Sequence, residues 1–236
     1  MIDGPAVTPQ LPLSLRHPSD QRLETFVGAP AGAIAQLRAL AREPGVDWLY
    51  VDGAAGTGKT HLALALCAEA GQGGRRSAYL PLQTAAGRLG EALEAVVQAD
   101  VVALDGLEAI AGHRDDEVAL FDFHNRARAA GRGVLYLASA SPAALPLVLP
   151  DLRSRLSQCI RIALDPLDDD GRRQVLRERA RRRGLVLEDA AVDWLLTRTD
   201  RDLAQLLPLL DHIDRESLAA QRRVTVPFLR KALGLD

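Results

Sequence analysis

The sequence predicts an α/β protein in which a largely parallel sheet carrying a phosphate-binding loop is followed by a small all-helical domain. Three observations carry that prediction. The first is Val51 to Thr60, VDGAAGTGKT, set between the apolar run Trp48, Leu49, Tyr50 and the helical pattern HLALALCAEA, which reads as strand, glycine loop and helix. The second is the alternation of short apolar runs with helical patterns up to residue 165, which favours parallel strands joined by helices. The third is a composition shift at Asp165-Pro166, beyond which only helical patterns remain.

Residues 1–20 are rich in proline and poor in periodicity, and are expected to form a flexible tail. Within them Gln10-Leu11-Pro12-Leu13-Ser14-Leu15 is extended, because Pro12 disfavours helix at the residue before it, so Leu11, Leu13 and Leu15 share a face. Such a face either folds back on its own domain or docks in another protein's pocket. Ala29 to Arg42 has helical spacing through Ile34, Leu37 and Leu40 or Ala41, stopped by Pro44 and Gly45. A strand over 47–52 precedes the loop. Further elements are a turn at Gly71 to Gly74, a strand Ser77 to Leu80, a helix Ala85 to Gln98, the buried strand VVALD at 101–105, a helix Asp115 to Ala129, the strand VLYLAS at 134–139, a short helix Leu149 to Leu156 and a last strand Cys159 to Leu164. The helical part contains GRRQVLRERARRRG, with acids at its start and arginines toward its end as the macrodipole favours, then helices over Glu188 to Thr197, Asp202 to about Ala219 and Val226 to Leu233. Seven arginines between Arg172 and Arg183 are expected to form a solvated face.

The chemistry begins at Gly53, Gly58, Lys59 and Thr60, which satisfy G-x-x-x-x-G-K-[ST]. Glycines, Gly56 among them, let backbone N–H groups turn inward on a phosphate, and the helix starting near Thr60 adds its positive end. Lys59 is placed to reach the β- and γ-phosphates and the Thr60 hydroxyl to ligate Mg²⁺. The chain has 29 Lys plus Arg but only two lysines, Lys59 and Lys231, so lysine is kept where the loop needs it. Asp105 ends a buried parallel strand, where an acid lies beside the loop mouth and can hold the Mg²⁺ shell. The next position is Gly106 rather than a second acid, so slow intrinsic hydrolysis is expected; Glu108 either reaches in or is a surface acid. Ser139 and Ser141 follow the next strand, and either touch a γ-phosphate or begin the turn before Pro142. Arg153 and Arg155 fall on opposite sides of the short helix.

Composition sets the bounds. With 236 residues and 47% hydrophobic residues the chain can bury a proper core. Its apolar runs are far shorter than a membrane span, and its first residues lack the pattern of a signal peptide, so a cytoplasmic location is expected. Cys67 and Cys159 lie in apolar patterns and read as core thiols. No His/Cys cluster has zinc spacing. A net charge of −2 and 4% aromatics argue against a large nonspecific nucleic-acid surface.

A P-loop α/β domain, then an arginine-bearing short helix, then about 70 helical residues, resembles the AAA+ family. Within it LDGLEAIAG (104–112), FDFHNRARAAGR (121–132), LPDLRSRL (149–156), TDRDLAQLLPLLDHIDRESLAAQRRVT (199–225) and the ending VPFLRKAL resemble the DnaA group, and more narrowly that of Hda, the DnaA-related regulatory inactivator. The resemblance implies a tail over 1–20, an AAA+ nucleotide-binding domain over 21–165, and a helical lid over 166–236 without a following DNA-binding domain. It makes Gly53 to Thr60 Walker A, with His61 next to it, and Asp105 the Walker B acid. Arg155 becomes an arginine finger acting on a neighbour, Arg201 the sensor 2 arginine gripping phosphates from the lid, and Ser139 or Ser141 sensor 1. It also implies that Gln10, Leu11, Leu13 and Leu15 bind the β sliding clamp of DNA polymerase III. The expected role is negative regulation of replication initiation: ADP (or ATP) with Mg²⁺ in the P-loop, the clamp as tether, DNA reached through the clamp, and DnaA as the partner whose ATP is hydrolysed. Packing of several copies through the finger face also fits. The rival expectation is a free-standing AAA+ ATPase, or helicase-loader-like protein, that turns over its own ATP.

Overall fold

A computed structural model describes residues 21–198 and 224–234, with residues 206, 209, 210, 212, 213 and 216 between them. Five parallel strands form one sheet in the order β2-β3-β4-β1-β5, where β1 is Leu49–Gly53, β2 Ser77–Pro81, β3 Val101–Asp105, β4 Gly133–Ala138 and β5 Ile160–Leu164. The central strands β1, β3 and β4 are apolar on both faces because helices cover both, so they read as continuous runs rather than alternating ones. Register aligns Asp105 with Leu137 of β4 and Pro81 of β2, and Asp52 with Ala138 of β4 and Ala163 of β5. The carboxyl ends of all five strands therefore open on one side, where ligands of parallel sheets bind.

Helix α1, Ala33–Arg42, buries Ala33, Leu37, Leu40 and Ala41. Helix α2, Lys59–Gln72, is buried almost all round because it lies between the sheet and α1; its Glu69 is paired with Arg38 and Arg42. Helix α3 is Leu89–Val96, shorter than the predicted Ala85 to Gln98, because a 3₁₀ turn at Leu82–Thr84 and a left-handed Gly87 take up the start. Asp116, buried in the first turn of α4 (Arg114–Ala129), accepts the Gly87 and Leu89 amides and sets where α3 begins. Helix α5 is Pro150–Ser157, with proline in its first turn.

Two hydrophobic cores result. One surrounds the sheet, with Tyr50 and Tyr136 fully buried among aliphatic side chains; Tyr50 donates to the Ala140 carbonyl at 2.8 Å, and Tyr136 shares a 2.9 Å hydrogen bond with His124 Nδ1. The other joins α6 (Asp169–Arg182), α7 (Asp189–Arg198) and the helix Val226–Ala232 through Leu176, Val192, Leu195 and Leu229, with Leu206, Leu210 and Ile213 also inside. Asp168 caps α6 by accepting the Gly171 amide, and Thr225 caps the last helix by accepting the Phe228 amide. No helix among the described residues is long and apolar enough to cross a membrane.

Candidate nucleotide site

The loop after β1 passes into α2 under two left-handed glycines, Gly56 and Gly58, with φ of 79° and 94°. Helix α2 runs beneath β3, which carries Thr60 to the end of that strand although β4 lies between β1 and β3 in the sheet. Thr60 Oγ1 donates to Asp105 Oδ2 at 2.6 Å. The same oxygen accepts from Tyr79 Oη at 2.9 Å, and burial together with the Asp105 charge pushes the Tyr79 phenol above its ordinary range. Lys59 Nζ folds into the loop, donating to the carbonyls of Gly53 at 2.6 Å and Ala54 at 2.9 Å.

These residues open on a cavity of about 540 Å³, within the range of small-molecule sites. Its floor is the loop from Ala55 to His61, its side is Tyr79, Asp105, Gly106 and Glu108, and its roof is Val175, Glu178, Arg179 and Arg182 of α6. The segment Gln21 to Val27 closes the remaining side. Phe26 lies so close on Gly58 that a Cβ there would come within 2.6 Å of its Cε2. His61 joins three parts of the molecule: its ring meets Phe26 edge-on at 5.5 Å, Nε2 lies 3.0 Å from the Arg22 carbonyl, and Nδ1 lies 3.5 Å from Arg179 Nη2. The hydrogen-bond pattern suits Nε2–H donating and Nδ1 accepting from the arginine.

Of the residues expected at the site, Gly56, Gly58, Lys59, Thr60, His61, Asp105 and Glu108 line the cavity. Gly53 does not; it contributes its carbonyl to Lys59, and a Cβ there would strike the Leu164 carbonyl and Thr57 Oγ1, each at 2.7 Å. Glu108 Oε2 accepts the Ser139 amide at 3.0 Å, so the acid after β3 is tied to the end of β4. Neither serine lines the cavity: Ser139 is exposed, and the Ser141 carbonyl accepts the Ala144 and Leu145 amides in a turn. Arg201 and Gln10 to Leu15 lie outside the described residues.

Arg155 also lies away from this cavity. It is exposed on α5 beside a small cleft with Trp48, His124, Asn125 and Arg128, and its guanidinium makes no hydrogen bond or ion pair among the described residues. Arg153, two positions earlier, is turned inward and donates to the Leu147 carbonyl. Burial, then Arg155 and Arg128, hold His124 down to about 4.

The arginine-rich helix is more than a solvated face. Arg172 and Arg173 pair with Asp169 and Asp170 in its first turn, Arg173 and Arg177 reach Asp193 and Asp189 of α7, and Arg181 and Arg182 clasp Glu178. The hydrogen bonds from Arg181 and Arg182 hold the Glu178 carboxyl down to about 2. Arg179 and Arg182 face the cavity, a role that spacing within the arginine run did not disclose. Phe26 and Tyr79 were missed as well; each is a lone aromatic whose neighbours come from distant sequence.

A phosphate loop on a five-stranded parallel sheet of this order, roofed by a helical unit, defines the AAA+ class. Domain III of the replication initiation protein DnaA from Thermotoga maritima is similar to the chain with a TM-score of 0.75 at 20% identity, over 92% of this chain and 97% of that one. AMPPCP-bound DnaA from Aquifex aeolicus is similar at 0.67 and 23% identity, over 85% and 68%. The Thermotoga maritima RuvB Holliday junction branch migration motor follows at 0.66 and 18%, over 93% and 72%. Residues 169–233 match the family described as Hda, lid domain. In fold the chain is thus similar to DnaA, and over its helical unit to the lid domain of Hda.

Proposed function

We propose that this protein is a DnaA-related regulator of replication that binds an adenine nucleotide and stimulates hydrolysis of DnaA-bound ATP through Arg155. The residues present fit a nucleotide and Mg²⁺: two left-handed glycines, a lysine held among the described residues by two loop carbonyls, and a hydroxyl against a carboxylate. Thr60 and Asp105 would hold the ion, which when bound neutralises phosphate charge. Lys59 would leave the Gly53 and Ala54 carbonyls for phosphate oxygens, Arg179 and Arg182 would meet the ligand from α6, and Arg201 would serve as the sensor 2 arginine. AMPPCP in the similar Aquifex protein supports this reading.

The observation that carries the regulatory role is the position of Arg155. A cation exposed on α5 and outside the cavity of its own chain suits a phosphate presented by another subunit. A guanidinium supplied in this way stabilises charge on the transferred phosphoryl group and is worth roughly 10³–10⁵ in rate, about 4 to 7 kcal/mol. Tethering by Gln10 to Leu15 to the β sliding clamp would raise effective concentration at DNA without adding chemistry.

The test is phosphate release from DnaA-ATP by the ADP-loaded protein, with and without DNA-loaded clamp. Stimulation that needs clamp and disappears in Arg155→Ala, with nucleotide and clamp binding retained, is the expected result. An Arg155→Ala protein that stimulates like the wild type would refute the finger. The intact loop and its cavity favour a second reading, an ATPase acting for itself; steady-state turnover of ATP by this protein alone, with DnaA-ATP unaffected, would establish it.

A further inference from the structure

Glu117, in the first turn of α4, is fully buried, yet it does not line the cavity and makes no ion pair among the described residues. Its carboxylate accepts three backbone N–H groups from two separate loops. Oε1 accepts from Gly112 at 2.8 Å and from Val148 at 3.0 Å, and Oε2 accepts from Leu149 at 2.7 Å. Gly112 ends the turn that begins at Gly106, directly after Asp105, and that carries Glu108 along the wall of the cavity. Val148 and Leu149 enter α5, and Leu149 is its N-cap residue. The two loops run close together, since a methyl group added at Gly112 would come within 3.9 Å of the Pro146 carbonyl. Leu152 and Leu156 then seat α5 on the core, which leaves the entry to the helix as the part a carboxylate can steer.

We infer that Glu117 is a positioning residue that couples the nucleotide site to Arg155, by holding the Gly106 to Gly112 turn and the start of α5 on one carboxylate. A shift of the turn when nucleotide engages Asp105 or Glu108 would be transmitted through the three charge-assisted hydrogen bonds on this carboxylate to Val148 and Leu149, and so to the helix that carries Arg155. The chain's own nucleotide would in this way set whether its arginine is presented to a neighbour. The inference rests on the proposed function only for what Arg155 does once presented.

The first measurement needs no variant: amide hydrogen exchange of the full chain with and without ADP. Exchange at Gly112, Val148 and Leu149 should slow together by about tenfold or more on ADP binding, with the effect continuing into Pro150–Ser157. If ADP binds and the α5 entry does not respond, the coupling is refuted. The second uses Glu117→Gln, which keeps one acceptor oxygen and turns an amide N–H₂ toward backbone donors. It should bind ADP within about threefold of the wild type, lose the α5 response, and stimulate DnaA-ATP hydrolysis about 10²-fold less, the cost of a misplaced group of this size. A variant whose α5 still responds to ADP as in the wild type would overturn the proposal. If Glu117→Gln fails to fold, the exchange measurement on the unaltered chain decides alone. Failure of the regulatory reading is read separately: there Arg155→Ala is silent in phosphate release whatever the exchange data show.

Discussion

Replacing Gly58 by alanine tests how the P-loop is built, because two costs meet at that residue. At φ 94° an alanine sits in left-handed backbone, which costs about 1–2 kcal/mol. Its Cβ would also lie 2.6 Å from Phe26 Cε2 and 3.2 Å from Cζ, so the ring must move away from the loop and from His61. Overpacking of that kind adds about 1–2 kcal/mol where the neighbour is a half-buried side chain rather than backbone. The expected total is about 2–4 kcal/mol. Gly56→Ala is the control: its φ is 79°, but nothing lies within 4 Å of the added carbon, so only the backbone cost of about 1–2 kcal/mol applies. Urea unfolding without nucleotide measures both. In a Phe26→Ala background the Gly58→Ala cost should fall to that of Gly56→Ala, since the contact is then gone. Equal costs for the two glycine changes in the otherwise unaltered chain, or no coupling to Phe26, would refute the packing of Phe26 on the loop.

Three further outcomes are expected. His124 has its pKa lowered from 6.5 to about 4, chiefly by burial, so the unfolded chain binds more protons between those values; stability present above pH 6.5 is lost as pH falls toward 4, by at most about 3 kcal/mol, and His124→Gln should flatten that part of a denaturation-against-pH curve. Burial pushes both Cys67 and Cys159 up to about 12, so neither should react appreciably with iodoacetamide at pH 8 in the folded protein, while both react on unfolding; rapid native labelling of either would contradict their placement. Arg161 makes a bidentate pair with the nearly buried Asp52, at 2.6 and 2.8 Å, at the end of β1 that feeds the P-loop. Arg161→Met should cost about 1–2 kcal/mol, and a thermal shift indistinguishable from zero would show the pair to be merely superficial.

Much of the α/β architecture is legible from local pattern. Runs such as Val101 to Asp105 are apolar throughout because both faces of a parallel strand are covered, and that produces a signal in any short window. Boundaries were less legible. The start of α3 depends on Asp116, 27 and 29 residues from the amides it accepts, and no window of helical spacing contains that constraint. At the site, glycine, lysine and hydroxyl spacing located the loop, because phosphate binding restricts residue types at fixed offsets. The serines after β4 were candidates by position alone, and neither lines the cavity; the Ser139 amide is held by Glu108, and the Ser141 carbonyl accepts the Ala144 and Leu145 amides of a turn.

Local order therefore determined the elements of this protein: strand, loop and helix at 49–72, an acid closing β3, and arginines at 153 and 155 on one short helix. Which groups face one another was decided only by tertiary structure. Thr60 meets Asp105 because α2 crosses beneath β3, Tyr79 joins them because β2 pairs with β3 in parallel, and α6 brings Arg179 to His61 across 118 residues. The same holds for the two arginines of α5. Helical spacing puts them on different sides, but burial of Leu152 and Leu156, and the Leu147 carbonyl waiting for Arg153, decide which guanidinium turns inward and which is left facing solvent.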